Sequence, residues 1–409
     1  MKYNAIVGQS GGPTSVINAS LAGVIDASLS SDEIGLLYGM FNGIDGILNE
    51  NIINLTEKFE NNISDLNLLK ITPAAALGSC RHRLPKDIDS DSEGLYKKIF
   101  DFFKKYNIGY FFYIGGNDSM DTVEKLSRFS KYYDADFIRF IGIPKTIDND
   151  ICETDHTPGF GSAAKYIAST VQDILYDCAV YTVKSVTVIE IMGRDAGWLT
   201  AAAAVPRLNG ISPDYIYLPE VPFDVNDFIT DIENAHKFHP NVVIAISEGV
   251  RYKDGRYVGE SCQSGASDVF GHKYLAGVGK TLENVVKQQI GCKVRSIELS
   301  LPQRCSSVAL SLTDVNESFD VGKFAVKAAE QGNSGVIITC VRGGNDPYSL
   351  FFGISAISNV ANRVKRVPNE YISNSGNNVT DECVKYILPL ISGEPEIEYK
   401  NGIPVHFHF

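Results

Sequence analysis

The sequence has no excess of positive charge, no cysteine pairing motif and no long apolar run. Its 409 residues carry 37 lysines and arginines against 49 aspartates and glutamates, a formal net charge of -12, so the molecule offers nucleic acid no basic field. A phosphate-bearing ligand must therefore be held locally. The eight cysteines are scattered with no C-x-x-C pair, which predicts reduced, mostly buried thiols.

No stretch approaches the ~18 consecutive apolar residues of a membrane span. The turn-rich Gly11-Gly12-Pro13 comes too early for a signal peptide, so we expect a cytoplasmic protein. Hydrophobic residues are 44% and charged residues 21%, which excludes a disordered or fibrous chain. The length predicts two or three domains, and the lack of a Pro-, Gly- or Ser-rich linker predicts several chain crossings between them.

Short apolar runs repeatedly end in a glycine-rich or polar loop and pass into a stretch with helical periodicity. This pattern is typical of βα units in parallel sheets. It predicts strands at Tyr3–Val7, Tyr110–Ile114, Ile138–Ile143, Val186–Ile191, Tyr215–Leu218 and Val242–Ile246, and helices at Ser162–Cys178, Asp195–Ala204 and Tyr274–Gln289. Ligands bind at the carboxyl ends of such strands, so we expect function in the loops there.

Three of these loops carry residues suited to binding phosphate or a metal ion. Gly8–Pro13 predicts a phosphate cradle, although a plain tight turn fits equally well. Gly115–Ser119 adds Asp118, which indicates either Mg²⁺ beside a phosphate or a simple helix N-cap. Pro144–Asp150 combines a lysine with two aspartates. The aspartates could serve as a base and a metal ligand, and the lysine could neutralise phosphate charge. The alternative interpretation is an Asx-rich turn.

Six segments, in the same order, resemble the phosphofructokinase family, and the resemblance covers about residues 2–344. They are Gly11-Gly12, Leu77–Arg81, Gly115–Ser119, Lys145–Asp150, Ile191–Arg194 and Gln303-Arg304.

The resemblance implies an α/β fold of two doubly wound, Rossmann-like domains with the active site in the cleft between them. We expect a phosphoryl-donor domain at 1–158 plus about 303–353. A sugar-phosphate domain is expected at about 159–302 plus 354–409.

The chemistry implied by the resemblance is phosphoryl transfer to the 1-hydroxyl of fructose 6-phosphate with Mg²⁺. Asp148 is the implied base, because it is the aspartate of the Thr-Ile-Asp motif. The residues expected to bind the phosphoryl donor are Gly11, Gly12, Arg81, Gly116 and Ser119, and those expected at the metal are Asn117, Asp118 and Asp150. The residues expected to bind the sugar phosphate are Thr146, Asp148, Lys184, Met192, Gly193, Arg194, Glu248, Arg295 and Arg304.

Members of the family use either ATP or pyrophosphate, and this chain resembles the pyrophosphate type at two positions. Asp118 stands where ATP users have a glycine, and its carboxylate would repel the α-phosphate of a nucleotide. Lys145 stands where ATP users also have a glycine, and its positive charge would bind the smaller donor, pyrophosphate. We therefore expect a reversible pyrophosphate-dependent enzyme of glycolysis and gluconeogenesis, with Asp118, Lys145 and Asp148 as its catalytic residues.

The sequence departs from the family pattern at three positions. Asn117 replaces an aspartate on the metal side, Leu301 replaces a histidine before Gln303-Arg304, and Lys184 is one residue out of register. Asn117 and Leu301 keep open a catalytically silent subunit or sugar-phosphate sensor. An ATP-dependent enzyme, which differs by donor at Asp118 and Lys145, is the other alternative. By resemblance we expect a homodimer or homotetramer in which Arg295 and Lys184 reach the neighbouring subunit.

The residues after Gly344 carry no motif. The polar segment Asn369–Thr380 predicts a surface loop. His406 and His408 have the spacing of a metal chelate, but a terminal strand or a frayed end is the simpler interpretation.

Overall fold

A computed structural model of the protein describes residues 2–80, 82–88, 93–260, 277–361 and 363–409. It confirms the predicted α/β class, with a seven-stranded, a four-stranded and a two-stranded sheet in the described ranges. The strands are β1 Tyr3–Gln9, β2 Ile34–Met40, β3 Ile52–Asn54, β4 Ile108–Gly115, β5 Arg139–Pro144, β6 Ser185–Ile191, β7 Tyr215–Tyr217, β8 Asn241–Ser247, β9 Lys293–Glu298, β10 Val336–Asn345, β11 Tyr348–Ala356, β12 Tyr399–Lys400 and β13 Ile403–Pro404.

The α-helices connect these strands and cover both faces of each main sheet. They are α1 Ile17–Leu29, α2 Ile44–Leu48, α3 Leu55–Phe59, α4 Ile63–Lys70, α5 Glu93–Lys105, α6 Asn117–Phe129, α7 Phe160–Ala179, α8 Trp198–Ala201, α9 Val225–Ala235, α10 Val278–Gln289, α11 Pro302–Cys305, α12 Leu312–Glu330 and α13 Asp381–Ile387. Among the described residues, none of the helices combines the length and apolar character needed to cross a bilayer.

The large sheet has the strand order β11-β10-β5-β4-β1-β2-β3, and only β3 and β11 pair antiparallel to their neighbours. Successive residues of β1 point to opposite faces, as the period of a strand requires. Ala5 and Val7 join a core with α1 and α12, whereas Ile6 joins a core with α5 and α6. Because both faces are buried, the strand reads in the sequence as one continuous apolar run.

The small sheet has the parallel order β7-β8-β6-β9. Ile189 and Ile191 of β6 pack in a core with α7 and α13, and Val186 and Val188 pack on the other face with α9 and α10. The chain builds most of the large sheet, crosses to build the small sheet, and returns to add β10 and β11. The chain therefore passes between the two main sheets at least twice.

The predicted elements match the structure except at some ends. The predicted helix at Asp195–Ala204 starts later, because Asp195–Gly197 are not helical and α8 begins at Trp198. The helix then continues as a 3₁₀ helix, Ala202–Asn209. Of the predicted helix Tyr274–Gln289, residues 274–276 lie outside the described residues and α10 forms the remainder. The tail is anchored, since Phe407 is buried against Phe59.

Candidate active site

A cleft of about 390 Å³ lies where the carboxyl ends of both main sheets meet. Loops after β1, β4, β5, β6 and β8 contribute to it, which is the position expected for a ligand site in parallel α/β sheets. Its walls are Gly11, Gly12, Gly116, Asn117, Asp118, Ser119, Lys145, Thr146, Asp148, Asp150, Arg194, Asp195, Ala196, Glu248, Arg363 and Val364. The three chemically suitable loops of the sequence therefore share one cavity.

Lys145 ties the two glycine loops together. Its Nζ atom donates to the Gly12 carbonyl oxygen at 2.6 Å, and its backbone N–H donates to the Gly115 carbonyl oxygen at 3.0 Å. Gly11 has a φ of 76°, and a Cβ atom there would lie 3.2 Å from Lys145 Nζ. Glycine at this position therefore permits both the left-handed backbone and the approach of the ammonium group.

The first turn of α6 presents the acidic edge of the cleft. Asn117 and Asp118 open the helix directly after Gly116, and Ser119 is buried behind them. Asn117 Nδ2 lies 3.4 Å from Asp150 Oδ2, whereas Asn117 Oδ1 is buried and has no hydrogen-bond partner among the described residues. A buried carbonyl oxygen without a donor suits a cationic ligand.

A divalent cation therefore fits this edge of the cleft. The described residues contain no group of three or more His, Cys, Asp or Glu side chains arranged for a metal. Asn117 and Asp150 would supply two protein oxygens, and magnesium commonly takes its other ligands from phosphate and water.

Asp148 and Asp150 are partly buried and lie close to one another. Burial raises the pKa of Asp148 above its ordinary value, and Arg194 and Lys145 oppose this rise. Burial and then the negative charge of Asp148 raise the pKa of Asp150 to about 7. Such a pair holds protons unusually well, and a cation placed between the carboxylates would favour their ionised forms.

The loops after β6 and β8 form the opposite wall. The backbone N–H of Gly193 donates to Glu248 Oε1 at 3.3 Å, and that of Met192 donates to Gln303 Oε1 at 3.1 Å. Arg194 Nε is buried and has no hydrogen-bond partner among the described residues. Glu248 and Arg194 thus face the cleft, whereas Met192 and Gly193 support this wall from behind.

Three further predicted residues do not line the cleft, and a fourth is not described. Arg304 approaches the glycine loop, since its Nη1 atom lies 3.5 Å from where a Cβ of Gly12 would stand. Arg295 on β9 is outside the cleft, with Nη1 3.9 Å from Asp177 Oδ2, and Lys184 is exposed before β6. Arg81 lies outside the described residues.

Four residues of the cleft wall were not predicted from the sequence. Asp195 and Ala196 directly follow Arg194 at the end of β6, and the rule that placed function after strands could have included them. Arg363 and Val364 come from the segment after β11, where no motif marks them.

Comparison with known proteins agrees with this architecture. A family model described as Phosphofructokinase matches residues 4–329. The chain belongs to the phosphofructokinase family. The pyrophosphate–fructose 6-phosphate 1-phosphotransferases of Halomonas elongata and Methylococcus capsulatus are 39% and 38% identical, each over 98% of this chain and 95% and 94% of their own lengths. The crystal structure of a pyrophosphate-dependent phosphofructokinase from Nitrosospira multiformis superposes with a TM-score of 0.87 at 36% identity, covering 98% of this chain and 95% of that one.

Proposed function

We propose that this phosphofructokinase transfers a phosphoryl group from pyrophosphate to the 1-hydroxyl of fructose 6-phosphate, and catalyses the reverse reaction. The observation that carries the proposal is the position of Asp118 and Lys145 in the same cleft as Asp148. Near full-length similarity to enzymes named for this reaction supports it. The proposed setting is glycolysis and gluconeogenesis in the cytoplasm.

Asp148 is the proposed base for the sugar hydroxyl. The raised pKa of its partly buried carboxyl group makes it a stronger base than an ordinary aspartate. Phosphoryl transfer leaves most of the changing charge on phosphate oxygens. Lys145 and Arg194 border Asp148 and supply positive charge at that position.

Magnesium is the proposed cofactor. Asn117 Oδ1 and the carboxylate of Asp150 would hold it, with Asp118 also on the same edge. When bound, the ion neutralises charge on the phosphoryl donor. The asparagine supplies a neutral oxygen, so the site adds less negative charge to the donor region than an aspartate would.

The donor preference is assigned to the two charged side chains that replace glycine. Asp118 lies at the start of α6, where an anion would otherwise meet the helix N-terminus. A nucleotide extending past this point would meet the Asp118 carboxylate, whereas pyrophosphate ends before it. Lys145, held against Gly12, then supplies the compensating positive charge.

The sugar-phosphate side is proposed to be completed in a homodimer or homotetramer. Arg304 would contact the 6-phosphate from within the chain. Arg295 and Lys184 lie outside the cleft with exposed side chains, so they are available to the site of a neighbouring subunit. Light scattering would give the oligomeric state, and a monomer active at full rate would contradict this arrangement.

The deciding assay is formation of fructose 1,6-bisphosphate with Mg²⁺ and either pyrophosphate or ATP at equal concentration. We expect turnover with pyrophosphate and little with ATP. The reverse preference would make the chain an ATP-dependent phosphofructokinase. Absence of turnover with both donors would favour a silent subunit, and Asn117→Asp would then be the first variant to test.

Asp118→Gly tests the donor assignment directly. It should raise the activity with ATP, because it removes the carboxylate from the expected path of the nucleotide. Glu124→Gln is the matched control, since Glu124 is an acidic residue on the same helix that pairs with Arg128 outside the cleft. Persistent rejection of ATP by Asp118→Gly would remove Asp118 as the selecting residue.

A further inference from the structure

Lys365 contacts the acidic loop, which we define as residues 148–155. The loop supplies Asp148 and Asp150 to the cleft. Lys365 lies in the segment after β11, directly beyond the cleft residues Arg363 and Val364. It is also beyond residue 329, where the match to the family model ends.

The ammonium group of Lys365 uses its donors entirely on this loop. Nζ donates to the side-chain oxygen of Asn149 at 3.1 Å, and to the carbonyl oxygens of Thr154 and Asp155 at 3.1 and 2.7 Å. An ammonium group has three N–H donors, so these contacts account for all of them. One side chain therefore fixes both ends of the acidic loop.

The main chain of Lys365 adds a fourth contact. Its backbone N–H donates to the Asp150 carbonyl oxygen at 2.7 Å, and its own carbonyl oxygen accepts from Trp198 Nε1 at 3.0 Å. The indole ring also lies 5.2 Å from the ammonium nitrogen, a favourable cation–π distance. Lys365 is thus held by α8 while it holds the acidic loop.

The acidic loop has a conformation that needs such support. Asn149 is fully buried with a φ of 54°, and Glu153 has a φ of 65°. Non-glycine residues adopt this region only when surrounding contacts outweigh its cost. Asn149 also donates from Nδ2 to the Tyr386 hydroxyl at 3.0 Å, and that hydroxyl donates to the Asp155 carbonyl oxygen at 2.6 Å.

We propose that Lys365 is a positioning residue of the phosphoryl-transfer site, which holds the acidic loop so that Asp148 and Asp150 face the cleft. The proposal rests on the proposed function, because it concerns the two carboxylates assigned to that reaction. Lys365 touches the loop behind these carboxylates. It acts on the reaction through the orientation of the carboxylates.

Lys365→Met tests the proposal, because methionine keeps an unbranched side chain as far as Cε and the backbone N–H but removes all three ammonium donors. We expect kcat to fall by ~10- to 100-fold with little change in the KM for fructose 6-phosphate, as for other losses of orientation near a reacting centre. Lys385→Met is the matched control, since Lys385 lies on nearby α13 with a side chain that is 71% exposed. Its kcat should not change.

Hydrogen–deuterium exchange gives a second measurement that does not depend on turnover. Backbone amides of the acidic loop should exchange faster in Lys365→Met than in the unmodified protein. In Lys385→Met their exchange rates should stay the same. Unchanged exchange in the loop would overturn the proposal, as would a lower melting temperature with an unaltered kcat. If the unmodified protein has no activity with pyrophosphate, the proposed function fails, and the exchange result alone still decides whether Lys365 holds the loop.

A milder pair of variants covers the case in which Lys365→Met does not fold. Tyr386→Phe removes the hydroxyl that bridges Asn149 and Asp155, and should shift kcat and exchange in the same direction by less. Tyr371→Phe is its control, because Tyr371 packs on Trp198 and Tyr386 without a hydroxyl contact to the acidic loop among the described residues. Equal behaviour of the two variants would overturn the proposal.

Discussion

Asp148 has a partly buried carboxyl group with two cations nearby, Arg194 and Lys145. An aspartate with an ordinary pKa is a weak base for an alcohol, but burial raises the pKa of this one. We predict that Asp148→Asn lowers kcat by ~10²- to 10⁴-fold and leaves sugar-phosphate binding largely intact. Turnover assays with calorimetric titration of fructose 6-phosphate would check both parts, and a kcat near that of the unmodified protein would exclude Asp148 as the base.

Glu248 gives a pH-dependent prediction. Burial, and then the charge of Asp148, raises its pKa from 4.5 to about 8. Stability from the protonated carboxyl group is present below the unfolded pKa and is lost as pH rises through the folded one. Glu248→Gln keeps the acceptor for Gly193 but cannot ionise, so its free energy of unfolding relative to the unmodified protein should increase with pH between about 5 and 8.

Denaturant unfolding of both proteins across this range measures the difference. A difference that is independent of pH would show that Glu248 is ionised in the folded protein throughout. Gly193 keeps its hydrogen-bond acceptor in the variant, so the comparison isolates the charge.

At the scale of elements, the contact between α1 and α12 depends on two glycines. A Cβ on Gly23 would lie 1.9 Å from the Phe319 carbonyl oxygen, and one on Gly322 would lie 2.2 Å from that of Ser20. The two helix backbones are therefore in direct contact on one face of the large sheet.

We predict that Gly23→Ala lowers the free energy of unfolding by ~1–3 kcal/mol, because the helices must separate. Gly94→Ala is the control, since a Cβ at this exposed position of α5 meets nothing within 4 Å and alanine favours helix. Urea unfolding would show a lower midpoint for the first variant and an equal or higher one for the second. Equal midpoints would mean that the helices adjust without cost.

The predicted elements succeed where apolar runs and helical periods follow one another, as in β6 and α7. Contacts between segments that are distant in the sequence do not follow from such local patterns. Nothing in the local pattern shows that Lys365 binds carbonyl groups of residues 154 and 155, because any exposed lysine gives the same pattern. The loops of the cleft were found because parallel sheets bring the ends of their strands together. Arg363 lines the same cleft but lies in the segment after β11, and no general rule for parallel sheets places that segment there.

At the scale of the whole molecule, the fold extends further along the chain than the match to the family model. The match ends at residue 329, yet β10 pairs with β5 and Phe407 packs in the core of the large sheet. We predict that a fragment ending at Glu330 is insoluble or lacks a cooperative unfolding transition. Its β5 edge would be exposed and part of that core absent.

Phe407→Ala in the full chain separates these two causes. It should lower the free energy of unfolding by ~3–5 kcal/mol while leaving the sheet complete. Thermal unfolding of the fragment and of the full-length variant would check both predictions. A fragment that unfolds cooperatively would show that the family segment is a folding unit by itself.

The return of the chain to the large sheet has a consequence during synthesis on the ribosome. Gly142 of β5 pairs with Ile337 of β10, so one edge of the first sheet stays open until the small sheet has been translated. Such long-range pairing folds slowly and exposes an unpaired edge in the meantime. The nascent chain therefore completes its first layer last, and its greatest exposure to aggregation falls before β10 leaves the exit tunnel.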